Sequence, residues 1–232
     1  MLPRQQTLRA VVDWSWDLLE DRERTVLRRL AVFAGGCTLA AAEAVFAGGD
    51  TVSGAEVLDI LASLVDKSIL IADQPPPDEP ELACAGVRYR RPETIHEYAA
   101  ERAAEHPADR HATARRHTAH LLDFALDAEP RLRTGEQLRW FARIEADLDN
   151  IRAVLHRALR AGDRETVGQL VIAMGWFWVV RNHRAEAPTG SAPRSPWIRT
   201  PRPTARRSPG PTPRPSAPPT STGSNCACCS TS

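Results

Sequence analysis

Apolar residues recur at helical spacing over most of this chain and alternate in only two short stretches. Leu8, Val11, Val12, Trp14, Leu18 and Leu19 predict a helix over about 7–19, with Thr7 as its cap. Asp21 is placed to cap a second helix, carried to about Phe33 by Val26, Leu27, Leu30 and Val32 or Phe33. Gly35-Gly36 stops it, because glycine enters left-handed conformations without a Cβ clash. Thr38 then caps an alanine-rich helix to about Phe46, and Gly48-Gly49-Asp50 turns the chain. Ser53-Gly54-Ala55-Glu56 has the S-x-x-E form of a capping box. The helix it opens carries Val57, Ile60, Leu61, Leu64 and Val65 on one stripe and ends near Asp66-Lys67.

Ser68-Ile69-Leu70-Ile71-Ala72 is short, β-branched and apolar, and reads as a strand. Residues 73–81 hold four prolines and four acids, which predicts an exposed loop. Val87-Arg88-Tyr89-Arg90-Arg91 alternates as a returning strand. Pro92 is placed at the first position of a helix lined by Ile95, Tyr98, Ala99 and Arg102 to about Glu105. Helices followed by a two-stranded β-hairpin with a long tip, in this order, predict a winged helix over residues 1–106.

Beyond Pro107 the pattern is all-helical. Helices are expected over about 109–128, 134–161 and 164–180, the second and third joined by Gly162-Asp163. Leu138, Phe141, Ile144, Leu148, Ile151, Val154, Leu155, Ala158 and Leu159 line the second; Val167, Leu170, Val171, Met174, Phe177 and Trp178 line the third. Long helices joined by a tight turn form the αα-hairpin from which helical solenoids are built. Residues 107–187 are therefore expected to be a TPR-like region, an incomplete array whose last helix would leave an exposed apolar edge. The fold class expected is mainly α: a winged helix, then TPR-like αα-hairpins, then a disordered C-terminal tail. That tail, 188–232, holds 11 of the 19 prolines, six arginines and no acid. It is too poor in large apolar residues to offset chain entropy. The abrupt change just past a strong helix fits a frameshift in a GC-rich gene, with a disordered linker as the other reading.

Charge then changes the picture. The formal net charge of the whole chain is +1, but residues 1–187 hold 24 basic and 29 acidic side chains. The expected folded part is mildly acidic, so total charge gives no case for nucleic acid or membrane. The longest apolar run, Leu170 to Val180, is well short of the ~20 residues that span a bilayer. No signal peptide is visible and the five cysteines form no disulfide framework. A cytoplasmic protein without membrane partners is the expectation.

Candidate chemistry is sparse. The sole lysine, Lys67, precedes Ser68, but Leu61 and Asp66 stand where a phosphate-cradling loop needs glycine. His96-Glu97-Tyr98-Ala99-Ala100 lacks the second histidine of a zinc helix. His117 and His120 share a helical face and predict a solvated polar surface. Cys226-Ala227-Cys228-Cys229 has no companion ligand, and Cys37 reads as a buried structural thiol. Trp176-Phe177-Trp178 reads as core. No catalytic, cofactor-binding or metal residue is assigned, and an enzyme is not expected. The winged helix raises DNA binding, yet the candidate recognition helix, 54–67, carries three acids, one lysine and no arginine, asparagine or glutamine. Only Arg88, Arg90 and Arg91 of the wing, together with Arg28 and Arg29, would offer a basic surface.

Several motifs in order resemble one family. Thr7-Leu8-Arg9-Ala10 with Asp13-Trp14-Ser15-Trp16-Asp17-Leu18-Leu19 is similar to the segment after the ATPase core of STAND-type bacterial regulators (AP-ATPase or NB-ARC-like), including transcriptional activators of the AfsR and LuxR types. Leu30 to Leu39, Leu64-Val65-Asp66-Lys67-Ser68, Arg88-Tyr89-Arg90, Glu93 to Ala99, Arg115-Arg116-His117 and Asp149-Asn150-Ile151-Arg152-Ala153 follow in the family's order. Arg91-Pro92 departs from it, where apolar residues are expected. The resemblance covers about residues 5–187. It implies a winged-helix regulatory domain and the start of a TPR-like sensor, in a chain that normally begins with a nucleotide-binding domain. It implies protein partners, an ATPase domain or other regulator chains. The alternative is a stand-alone winged-helix DNA-binding regulator using Arg88, Arg90 and Arg91.

Overall fold

The computed structural model describes residues 3–47, 52–75 and 86–186. Their order is α1 (Pro3–Asp17), α2 (Asp21–Leu30), β1 (Cys37–Thr38), α3 (Leu39–Phe46), α4 (Gly54–Asp66), β2 (Ile71–Asp73), β3 (Arg88–Arg90), α5 (Glu93–Ala104), α6 (Pro107–Arg131), α7 (Gln137–Ala161) and α8 (Arg164–Glu186). The fold is mainly α with one small sheet. The turn at 48–50, the loop tip at 76–81, Cys84 and the segment 188–232 lie outside the described residues.

Local chemistry sets most of the boundaries. The Thr38 hydroxyl accepts the Ala41 N–H at 3.3 Å and starts α3. Ser53 and Glu56 form the expected capping box, with the Ser53 N–H donating to Glu56 at 3.0 Å. At α2 the cap is Glu20 rather than Asp21. Glu20 keeps the extended backbone of a cap, while Asp21 is already helical, and the Glu20 N–H donates to Glu23 at 2.8 Å. Pro92 is likewise the cap of α5 rather than its first residue, with an extended ψ of 147°.

The strand expected from Ser68 begins only at Ile71. Ser68 takes a positive φ of 57°, and the Ser68 and Ile69 N–H groups donate to Val65 and Leu64 carbonyls at 2.8 and 3.0 Å. Three residues of the apolar run are thus used to close α4, and Ile69 and Leu70 enter the core. Gly162 closes α7 in the same way at φ 69°, and Asp163 caps α8 through Thr166 at 3.1 Å.

The expected two-stranded hairpin is a three-stranded antiparallel sheet, ordered β1-β3-β2. Tyr89 pairs with Cys37 on one side and Ala72 on the other. The added strand is the two-residue link between the Gly35-Gly36 stop and the Thr38 cap, too short to show any alternation in sequence. With it, α2-β1-α3-α4-β2-β3 follows the order of a winged helix.

Two apolar clusters fill the molecule. The first gathers Leu30, Phe33, Phe46, Leu61, Leu64 and Tyr89 from α2 to β3 and Ala99 of α5. The second gathers Leu121, Trp140, Ile144, Ile151, Met174 and Phe177 from α6, α7 and α8. The two meet where α6 runs along α3 as well as along α7 and α8. Over residues 9–19, the part of α1 with described side chains and the turn after it, only Val12 and Leu19 are buried; Val11, Trp14 and Leu18 stand exposed. In α8 Phe177 is core, whereas Val171, Ile172, Trp176 and Val179 are exposed, so the aromatic cluster is split between core and surface.

Candidate functional site

The densest buried polar chemistry lies where the winged helix meets the long helices. Its centre is the Ala34-Gly35-Gly36 turn between α2 and β1. Gly36 holds φ at 80°, and a Cβ there would stand 2.7 Å from the Tyr89 carbonyl oxygen. Asn150 of α7, fully buried, grips the turn with both ends of its amide. Its Oδ1 accepts the Ala34 and Gly35 N–H groups at 2.8 and 3.2 Å, and its Nδ2 donates to the Gly36 carbonyl at 2.9 Å. Nδ2 also donates to Asp147 at 2.8 Å.

Arg88 completes the clamp from β3. Its Nη2 donates to Asp147 at 3.0 Å and to the Gly35 and Gly36 carbonyls at 3.2 Å each. The two carbonyls support the buried pair on the Nη2 side, while Arg88 Nη1 is buried without a partner. Arg91 also turns inward, donating to the Phe33 carbonyl and, through Nε, to His96 Nδ1 at 2.9 Å. Arg90 is exposed and pairs with Asp73 across the hairpin at 3.2 Å. Arg88, Arg90 and Arg91 are therefore not gathered on one exposed face.

A second set of contacts ties α6 to the winged helix. Arg29, buried in α2, donates through Nε and Nη2 to Asp109 at 3.0 and 2.7 Å, and through Nη1 to the Phe46 carbonyl. Arg116 donates to the Val45 carbonyl at 2.7 Å. Two guanidiniums thus meet the carbonyl end of α3, where the helix dipole is negative. His117 is fully buried rather than part of a solvated face. Its ring meets the Phe33 edge at 4.6 Å, and Arg157 donates to its Nδ1 at 3.1 Å. Burial, then the charge of Arg157, push the imidazole pKa down to about 3.

Cys37 is also buried, and the loss of solvation pushes its thiol up to about 12. No group of three or more potential metal ligands occurs among the described residues. The outward positions of α4 are Ala55, Leu58, Asp59, Ala62, Asp66 and Lys67. Lys67 reaches the buried Glu23 at 2.5 Å, and Ser63 donates to the same carboxylate at 2.6 Å. Burial would raise the Glu23 carboxyl, but the bonds from Lys67, Ser63 and the Glu20 backbone outweigh it and hold it below the usual range.

Of the clamp, Asn150 carried a legible signal, a polar amide on the stripe that also holds Ile144, Ile151 and Val154. Asp109, Asp147 and Arg116 carried none, since each sits on a helix rich in exposed charge.

No family model and no solved structure matches the chain. It is 39% identical over 185 residues to proteins of Mycobacterium tuberculosis (strain ATCC 25618 / H37Rv) and Mycobacterium bovis, each provisionally named an HTH-type transcriptional regulator. These matches take 79% of this chain and 19% of each relative. The chain thus spans less than a quarter of the length of the curated relatives it matches first. An uncharacterized Mycobacterium tuberculosis protein is 38% identical over 101 residues, 44% of this chain and 24% of that protein. Among the described residues no helix is long and apolar enough to cross a membrane.

Proposed function

We propose that this chain is a non-catalytic regulatory segment of a STAND-type transcriptional regulator. Its winged helix relays between a nucleotide-binding domain and a helical sensor region. The transcriptional role is supported by the likeness to proteins named as HTH-type regulators. The observation that carries the relay is the clamp: Arg88 of the wing and Asn150 of α7 hold one glycine turn between them. A rotation of the long helices against the wing must break these bonds, which gives the junction two discrete arrangements rather than a continuous slide. A signal shifts that balance only through its differential affinity for the two.

Protein contact suits the surface better than base readout. The outward face of α4 holds Leu58 and Ala62 beside Asp59 and Asp66, with no arginine, asparagine or glutamine to read a base edge. The exposed stripe of Ile172, Trp176 and Val179 on α8 suits a following helix pair, as a TPR-like sensor requires.

The test begins with the flanking nucleotide sequence translated in all frames. A frame upstream that encodes GxxxxGK[ST] is expected, and a shifted frame downstream that restores helical repeats. The domain so encoded, added in trans, should bind this chain and change its own ATP hydrolysis. Empty flanks, together with duplex DNA binding that weakens steeply with salt, would replace this reading with the stand-alone DNA-binding regulator.

A further inference from the structure

Between α2, α5, α6 and α7 lies a cavity of about 260 Å³, separate from the Gly35-Gly36 clamp. Its walls are Ala31, Ala100, Ala103, Ala114 and Ala153 among others, so small side chains leave the space open. Its charged lining is one-sided. Arg28, Arg29, Arg110, Arg157 and Arg160 face it with His156, against the single carboxylate of Asp109. Asp109 is already taken by Arg29, whose Nη2 donates to Oδ1 at 2.7 Å and Nε to Oδ2 at 3.3 Å.

None of the remaining four guanidiniums is in an ion pair with a described residue. Among the described residues, Arg28, Arg110, Arg157 and Arg160 have no carboxylate within ion-pair distance, whereas Arg29 and Arg88 at the same junction each have one. Arg28 donates through Nη2 to Thr25 at 2.9 Å, while its Nε is buried without a partner. Arg157 spends one nitrogen on His117 and Thr118, at 3.1 and 3.0 Å. Burial pushes both guanidiniums down in pKa, against the pull of Asp109 at Arg28 and reinforced by Arg160 at Arg157, yet arginine stays charged. Four like charges gathered around one small cavity oppose folding unless something of opposite sign enters.

We propose that this cavity binds a small compound carrying a multiply charged oxyanion, held by Arg28, Arg110, Arg157 and Arg160. Arginine presents a planar fork that matches two oxygens of a phosphate or carboxylate at once. The volume, just under the ordinary range for small-molecule clefts, admits a diphosphate or tricarboxylate group and excludes a macromolecule. Arg110, His156 and Arg160 are exposed, so the ligand has a route from solvent. Because α2 and α5 lie on the winged-helix side and α6 and α7 are long helices, an anion here links the same two parts that the clamp joins. The site does not rest on the regulatory reading, since binding and stability are measured on this chain alone.

The test is calorimetric titration and thermal melting of the full chain with inorganic pyrophosphate and, in parallel, citrate. Sodium chloride at matched ionic strength is the control. Saturable binding of either anion is expected, with a rise in Tm that chloride does not give. Preference for pyrophosphate identifies a phosphate source, and preference for citrate a carboxylate one. Arg160→Gln and Arg157→Gln should each weaken binding at least tenfold. Arg160→Gln should melt no lower than wild type in anion-free buffer, because it removes an unpaired charge, whereas Arg157→Gln also loses the bonds to His117 and Thr118. Arg152→Gln, on the same helix but paired with Asp149 at 3.0 Å outside the cavity, should bind as wild type. If Arg157→Gln does not fold, exposed Arg160 carries the comparison. Anion effects equal to those of chloride, or Arg160→Gln binding with wild-type affinity, overturn the proposal.

Discussion

Arg88 of β3 and Asp147 of α7 form an ion pair at 3.0 Å that is largely removed from solvent. The two residues come from parts of the chain that build different apolar clusters. Their pairing, with Asn150 beside it, fixes the wing against the long helices. Asp147→Ala strands a buried guanidinium and is expected to cost about 3 kcal/mol of unfolding free energy. Adding Arg88→Met to that background should recover part of the loss, because the stranded charge is then removed. Urea unfolding of the two variants and the wild type checks this. A double variant less stable than Asp147→Ala would mean that Arg88 acts through the Gly35 and Gly36 carbonyls instead.

The glycine turn offers a comparison of two left-handed positions. At Gly36 an added Cβ meets the Tyr89 carbonyl at 2.7 Å, whereas at Gly162 it meets nothing within 4 Å. Both carry positive φ, so both substitutions incur backbone strain of about 1 kcal/mol. Gly36→Ala must in addition displace backbone. Its melting temperature should fall clearly further than that of Gly162→Ala, and equal falls would show that the turn can open at little cost.

His117 gives the junction a pH dependence. Its folded pKa is depressed to about 3, from an ordinary value of 6.5. The unfolded chain therefore takes up the proton first as pH falls. The stability that neutral His117 contributes is complete above about pH 6.5 and is lost as pH falls toward 3, at about 1.4 kcal/mol per pH unit between the two. His117→Gln keeps an acceptor for Arg157 without a titrating ring. Urea midpoints at pH 7, 6 and 5 should fall less steeply for this variant than for wild type. Parallel slopes would place the titration elsewhere, His96 and His120 being the other histidines lowered by burial.

The amino-acid sequence by itself determined the helices and most of their ends. Caps and stops are local: Ser53 with Glu56, Thr38, Gly162 and Asp163 each act within a few residues, through hydrogen bonds the nearby backbone supplies. The apolar stripes of α4 and α7 likewise needed only the helical period. Tertiary structure decided what the same residue types do once their neighbours are distant in sequence. Arg88 and Arg91 read as wing charges, yet they are turned inward because the carbonyls of Phe33, Gly35 and Gly36 lie beneath them. The two-residue strand β1 exists only because Tyr89 lies beside it. His117, on a helix crowded with arginine and histidine, is buried because Phe33 from α2 meets its ring. Leu18 and Trp176 carry the apolar character of core residues and stand at the surface, since burial requires a facing element and periodicity alone does not supply one. The arginine-lined cavity belongs to the same class. Its charges come from three helices, and no local pattern brings residues 28, 110, 157 and 160 to one wall.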